Sequence, residues 1–297
     1  MSVSEQVREA PSGGSAISVR DVRFAYGSHE AVRGISFEVA RGEVLGFLGP
    51  NGAGKSTTIK MLTGQLTPKT GSIHVLGMDL RQQREAVQAR IGVCFEEKNL
   101  YLAMSGVENL RFFASLFGIR NPDVQGLLER VGLGSRGRDR VEGYSKGMRQ
   151  RLMMARALIN DPAVLILDEP TDGLDPVSAQ TIRDLIRAQA ARGTSVLLTT
   201  HDMWEADELA DRVAFINEGT IYAEGPPEEL KLAHGRRTVK VRVRENGGVR
   251  EHVITLDDRD SAALLARAVE GRDLLTIHTE EATLEAVFIQ MTGRGLQ

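Results

Sequence analysis

The sequence has one cysteine, Cys94, among 297 residues. A single thiol excludes an internal disulfide and suits a reducing compartment. No apolar run approaches the roughly 18–20 residues that a membrane-spanning helix needs, so any role at a membrane is expected to come through a partner. The stretch MSVSEQVREAPSGGSA carries no apolar core of the signal-peptide kind, and the expectation is a cytosolic protein. An excess of charge of one sign is missing as well. A net charge of -3 argues against nonspecific attraction to nucleic acid or anionic lipid. Repeats and low-complexity tracts are missing. What remains is an ordinary globular composition, long enough for one large or two modest domains around a buried core.

Residues 1–16 are polar and read as a flexible lead. ISVRDVRFAYG and AVRGISFEVA, separated by Gly-Ser-His, predict a β-hairpin. From Val44 apolar strands alternate with helical stretches: VLGFLG then TTIKMLTG, AVLILDEP then SAQTIRDLIRAQAA, SVLLTT then MWEADELA. That alternation predicts βα units and a mostly parallel sheet. Residues 110–133 read as helical, with Phe112, Phe113 and Phe117 expected to include core residues. Met153, Met154 and Trp204 are expected to serve packing. VAFINEGTIYAEG returns to strand, turn and strand and suits a sheet edge. Past a boundary near Gly235 the runs TVKVRVR and VREHVITL alternate. A helical stretch at 260–269, a strand-like LLTIHT and a short helix at 281–292 follow. This is a small α+β appendix, with acidic and basic residues balanced, so it is not a nucleic-acid tail.

Gly49-Pro50-Asn51-Gly52-Ala53-Gly54-Lys55-Ser56-Thr57 matches G-x-x-x-x-G-K-S/T, between a predicted strand and a predicted helix. The residue types follow from phosphate chemistry. Glycines let backbone N–H groups turn inward around phosphate oxygens. The helix start near Ser56 adds the positive end of its dipole. Lys55 can reach the β- and γ-phosphates, and the Ser56 hydroxyl can ligate Mg2+. A nucleotide and Mg2+ are therefore the expected ligands.

The strand AVLIL ends in Asp168 and Glu169. Acids on a buried strand belong at its carboxyl end, where ligands of α/β sheets bind. Asp168 fits a Mg2+ ligand, and Glu169 fits the general base that polarises the attacking water. Upstream, Tyr144-Ser145-Lys146-Gly147-Met148 opens the helical stretch MRQRLMMARALI. A Ser and a Gly at a helix start make either an ordinary N-cap or a second anion site. One nucleotide has one set of phosphates, so a second site calls for another nucleotide or another subunit.

The order and spacing of these elements resemble the ATP-binding cassette (ABC) ATPases over residues 17–230. The resemblance implies a P-loop core with a mixed, largely parallel sheet, an antiparallel β subdomain and a helical subdomain at about 96–160. It divides the chain into the lead, an ATPase domain at 17–234 and the appendix at 235–297. It identifies Gly49 to Thr57 as the Walker A loop, Val164 to Glu169 as the Walker B strand, and Gly173-Leu174-Asp175 as the D-loop. It sets Tyr26 where the family stacks an aromatic on adenine. His201 falls at the switch histidine that contacts the γ-phosphate.

Ser145, Lys146 and Gly147 fall within the family's LSGGQ signature, here YSKGM, with Lys146 in place of a glycine and Met148 in place of the glutamine. Glu96 stands where the family usually has a glutamine near Mg2+ and water. A carboxylate there either binds the metal or faces solvent beside Glu97. The implied assembly is a head-to-tail homodimer in which each ATP lies between one subunit's phosphate loop and the other's signature helix. NLYLAMSGVENLRFFASLFG, residues 99–118, falls where family members dock onto the membrane subunit. The EExxLY-type loop and the ending ATLEAVFIQMTG resemble the drug- and sodium-export branch, whose partners are separate ABC-2 type permeases. The implied location is the cytoplasmic face of the membrane. The competing function is a soluble ABC ATPase acting on ribosomes or nucleic acid, which usually carries two cassettes or a long coiled-coil insertion. A P-loop kinase or GTPase would need neither Ser145 at a helix start nor a switch histidine.

Overall fold

The computed structural model describes residues 14–293 except 98, 236–237, 246–247, 257–259 and 281. Most of the polar lead therefore lies outside the described residues. The chain forms two compact units, one ending at Ala223 and one starting at Glu224.

The first unit runs β1 (Ile17–Tyr26), β2 (His29–Val39), β3 (Val44–Leu48), α1 (Lys55–Leu62), β4 (Thr70–Val75), β5 (Met78–Asp79), α2 (Arg84–Gln88) and β6 (Ile91–Cys94). Three helices follow: α3 (Gly106–Leu116), α4 (Val124–Arg130) and α5 (Lys146–Ala157). Then come β7 (Val164–Asp168), α6 (Pro176–Ala191), β8 (Ser195–Thr200), α7 (Met203–Leu209), β9 (Arg212–Asn217) and β10 (Thr220–Gly225), whose last two residues fall past the boundary.

Among the described residues, one sheet has the order β10-β9-β3-β8-β7-β6. Its strands β9, β3, β8, β7 and β6 are parallel. Every residue of β3, β7 and β8 is buried, as expected of parallel strands covered on both faces. Their carboxyl ends lead directly into the phosphate loop, the Asp168-Glu169 pair and His201. A second sheet, β2-β1-β4-β5, is antiparallel and contains the expected hairpin. Between the sheets and α1 lies one apolar core that includes Ile17, Phe37, Phe47, Ile59, Leu62 and Ile166. A second core joins α3, α4, α5 and α6 to the parallel sheet. Met153 and Met154 are fully buried in it, as expected.

Three expectations need correction. Residues 110–133 form two helices rather than one stretch. Gly118 takes φ +70 just past the end of α3, the left-handed position that stops a helix. Pro122 cannot continue one, and Asp123 caps the start of α4 by accepting a hydrogen bond from Gly126 N–H. Of the three phenylalanines, none is core: Phe112 and Phe113 are half-buried and Phe117 is exposed. Trp204 is 58% exposed, and the Arg183 guanidinium lies 5.0 Å over its ring. A cation on an indole face satisfies the ring without burying it.

The second unit comprises α8 (Pro227–His234), β11 (Thr238–Glu245), β12 (Gly248–Thr255), α9 (Ser261–Val269), β13 (Asp273–Glu280) and α10 (Leu284–Thr292). Its sheet, β12-β11-β13, is antiparallel. Val239, Val241 and Val243 alternate inward along β11 and pack with Ile254 and Ala268. Among the described residues no helix is long and apolar enough to cross a membrane.

Candidate active site

The phosphate loop is pinned by backbone contacts that only glycine allows at two positions. A Cβ on Gly49 would lie 2.1 Å from Ile216 O. Gly54 takes φ +108, and a Cβ there would lie 2.7 Å from Ala31 O. Behind the loop, Gly219 N–H donates to Ala53 O at 2.9 Å, and Arg33 N–H donates to Gly219 O at 2.8 Å. The loop is thus stitched to β2 and to the tight turn between β9 and β10. α1 starts immediately after Gly54 with no side-chain cap, so its first N–H groups are left for a ligand.

Lys55 is 5% exposed. Its Nζ donates to Gly49 O at 2.5 Å and lies 3.1 Å from Glu169 Oε1. The other Glu169 oxygen, Oε2, is 2.9 Å from His201 Nδ1. Glu169 follows β7 in a left-handed conformation, φ +47. That strain is offset by backbone bonding, because Glu169 N–H donates to Thr199 O at 3.0 Å. Non-glycine residues held this way tend to mark functional positions.

Asp168 is buried, and its Oδ1 accepts from Thr199 Oγ1 at 2.6 Å and from Ser56 Oγ at 3.5 Å. Burial pushes the Asp168 carboxyl above the usual carboxylate range, while the Thr199 and Ser56 hydrogen bonds oppose the shift. Among the described residues no cluster of three or more His, Cys, Asp or Glu side chains could hold a metal by itself. One carboxylate beside one hydroxyl does suit Mg2+, which keeps most of its shell as water and substrate phosphate oxygens.

A cleft of about 400 Å³ brings together Tyr26, Pro50, Asn51, Gly52, Gly54, Lys55, Ser56, Thr57, Glu96, Glu169 and His201. Tyr26 is 48% exposed at its rim and stacks edge-on against Phe24, with ring centroids 4.9 Å apart. Glu96 lines this cleft and is exposed. Gly49 and Ala53 lie behind the cleft as backbone support.

Ser145, Lys146, Gly147 and Asp175 do not line the cleft; they form a second cluster at the start of α5. Ser145 Oγ accepts from Met148 N–H at 3.2 Å and caps that helix. Lys146 Nζ is 3.8 Å from the Asp172 carboxylate. Asp175 caps α6 by accepting from Ser178 N–H at 2.9 Å, and that bond holds its carboxyl below the usual range. A Cβ on Gly147 would lie 2.4 Å from Ser178 Oγ, so the glycine lets the two helix starts meet.

Thr199 holds both acids, yet carries no sequence signal, since threonines end strands for many reasons. Asp172 also lines the cleft. A separate apolar groove of about 850 Å³ runs along the 99–118 segment, lined by Phe95, Leu100, Tyr101, Phe113, Leu116 and Phe117 among others.

The family model described as ABC transporter matches residues 32–172. The chain is similar to the fluoroquinolones export ATP-binding protein of Mycobacterium tuberculosis, 45% identical over 99% of each chain. It is also similar to the Nod factor export ATP-binding protein I of Paraburkholderia xenovorans, 38% identical over 95% of this chain and 99% of that one. A solved structure of an ATP-binding subunit of an ABC transporter superposes with a TM-score of 0.68 at 29% identity, covering 74% of this chain and 93% of that one.

Proposed function

Because the chain belongs to the ATPase subunits of ABC transporters, we propose that it powers export through a separate ABC-2 type permease, at the cytoplasmic face of the membrane. The observation that carries this reading is the convergence of Lys55, Glu169 and His201 beyond the carboxyl ends of β3, β7 and β8, within 3.1 and 2.9 Å. Export is supported by relatives of nearly full length that are named for it. Those two relatives are named for the export of different substances, so cargo choice is assigned to the permease.

In this reading the N–H groups at the start of α1 and the Lys55 ammonium bind the β- and γ-phosphates of ATP. Tyr26 stacks on adenine. Ser56 and Asp168 would hold Mg2+, with Glu96 at the edge of the same cleft, and the metal would supply neutralisation of the phosphate charge. Glu169 accepts the proton of the attacking water, held in orientation by its contact with His201. His201 in turn contacts the γ-phosphate.

ABC ATPases dimerise and pair with permeases. Here the dimer is head to tail, with Ser145, Lys146, Gly147 and Asp175 completing the partner's site. ATP closes the pair and hydrolysis opens it. The apolar groove beside Phe113 and Leu116 suits a permease helix. The domain boundaries of the ATPase at 17–234 and the appendix at 235–297 belong to the same reading.

Glu169→Gln tests it. Turnover should fall by about 10²–10⁴, the usual contribution of a general base, while ATP affinity by titration persists and a dimer accumulates. Near-normal ATPase in that variant would remove Glu169 as the base.

A further inference from the structure

Glu205, on α7, has no exposed surface, and no step described so far uses it. An unsolvated carboxylate is costly unless it is bonded. Its Oε1 accepts from Thr171 Oγ1 at 2.6 Å. Burial raises its pKa, with the Thr171 and Thr200 hydroxyls and then Arg183 opposing. A strand or helix that needed only packing would carry an apolar residue here, since replacing buried ionic groups by apolar ones is often neutral or stabilising.

The positions of the two partners are informative. Thr171 lies two residues beyond Glu169, in the turn that leaves β7. That turn is closed by Asp172 N–H donating to Glu169 O at 3.2 Å and by Leu174 N–H donating to Thr171 O at 3.1 Å. Glu205 lies four residues beyond His201, in the first turn of α7, the helix that follows β8. Asp202 Oδ1 fixes that turn by accepting from Trp204 and Glu205 N–H at 3.0 and 3.2 Å.

Two bridges therefore join the same two chain segments. One is the Glu169–His201 contact at 2.9 Å, partly open to solvent. The other is the part-buried Thr171–Glu205 hydrogen bond at 2.6 Å. Together they close a ring: Glu169 to Thr171 along the chain, across to Glu205, back to His201, and across to Glu169. The second bond ties the turn after β7 to α7.

We propose that Glu205 is a positioning residue that, through Thr171, sets the spacing between the general base and the switch histidine. This rests on the roles given above to Glu169 and His201. Neither Glu205 nor Thr171 lines the nucleotide cleft, so the effect should appear in turnover and not in ATP binding. A displacement near 1 Å at reacting groups costs up to about a hundredfold in rate.

The experiment compares Glu205→Ala, Glu205→Gln, Thr171→Val, Thr171→Ser and the Glu205→Ala/Thr171→Val double variant of the full chain, by steady-state ATPase and ATP titration. Glu205→Ala and Thr171→Val should each lower kcat about tenfold or more, with ATP affinity kept. The double variant should be no slower than the worse single variant. Glu205→Gln keeps an acceptor for Thr171, and Thr171→Ser keeps the donor, so both should recover most of the loss. Independent, multiplying losses in the double variant overturn the proposal. So does an unchanged kcat in Glu205→Ala, or a Glu205→Gln as slow as Glu205→Ala. If Glu205→Ala simply unfolds, Thr171→Val against Thr171→Ser still decides, since the pair differs at the hydroxyl. Glu169→Gln in the same panel separates the two readings. Inactive Glu169→Gln with normal Glu205→Ala sinks only the positioning role. Active Glu169→Gln sinks the base assignment on which it rests.

Discussion

The start of α1 and the start of α5 are both helix N-termini with a lysine at the first position, and they are built in opposite ways. α1 has no capping side chain. Its lysine is buried and turned back onto the loop that precedes it. α5 is capped by its own Ser145, and its lysine is half exposed and reaches Asp172. Free N–H groups and an enclosed cation make a receptor that one chain can complete. A helix start that satisfies itself and does not line the cleft gains little from a ligand in its own chain. It suits a surface whose ligand arrives with a second chain.

Substitutions can break or sharpen that contrast. Lys55→Ala should have the largest effect. Removing a buried charged partner of phosphate costs at least about 2 kcal/mol, or roughly thirtyfold in ATP affinity, readable by calorimetric titration. Ser145→Ala should leave ATP affinity of the isolated chain intact and lower turnover. It should also cost about 1 kcal/mol of stability through the lost cap, seen in denaturant unfolding. Mixing Ser145→Ala with Lys55→Ala chains sharpens the point, because one of the two shared sites in the mixed pair keeps both wild-type halves. Some turnover should therefore return. Zero activity in the mixture would contradict two independent shared sites. Lys146→Ala should matter least for the fold, since an exposed pair such as Lys146–Asp172 contributes under about 1 kcal/mol. A thermal melt checks that. If Lys146→Ala lost as much ATP affinity as Lys55→Ala, the two helix starts would not differ as described.

The same contrast marks what the sequence discloses. The βα alternation from Val44 onward is visible because the buried parallel strands are uninterrupted apolar runs. The phosphate loop is visible because its glycines and lysine have no other common use in that order. Ser145 could be seen as a cap from its position alone. The break at Gly118 and Pro122 is equally legible, from a glycine and a proline within five residues. The phenylalanines before that break and Trp204 show the limit: aromatic content does not say which side of a helix faces the core. Thr199, Thr171 and Glu205 lie furthest from legibility. Their roles come from strands and turns that are adjacent in space and about thirty residues apart in sequence.

The stitching behind the phosphate loop has a practical consequence for anyone shortening this protein. The family match ends at residue 172, and that stretch contains the loop, the α5 start and both acids. It does not contain Ile216 or Gly219, against which the loop is braced. An excised piece would keep the loop and both acids but lose the wall the loop leans on, with Gly49 and Gly54 left as two of the most pliable links in an unsupported turn. Minimal recombinant versions should therefore extend through the β9–β10 turn.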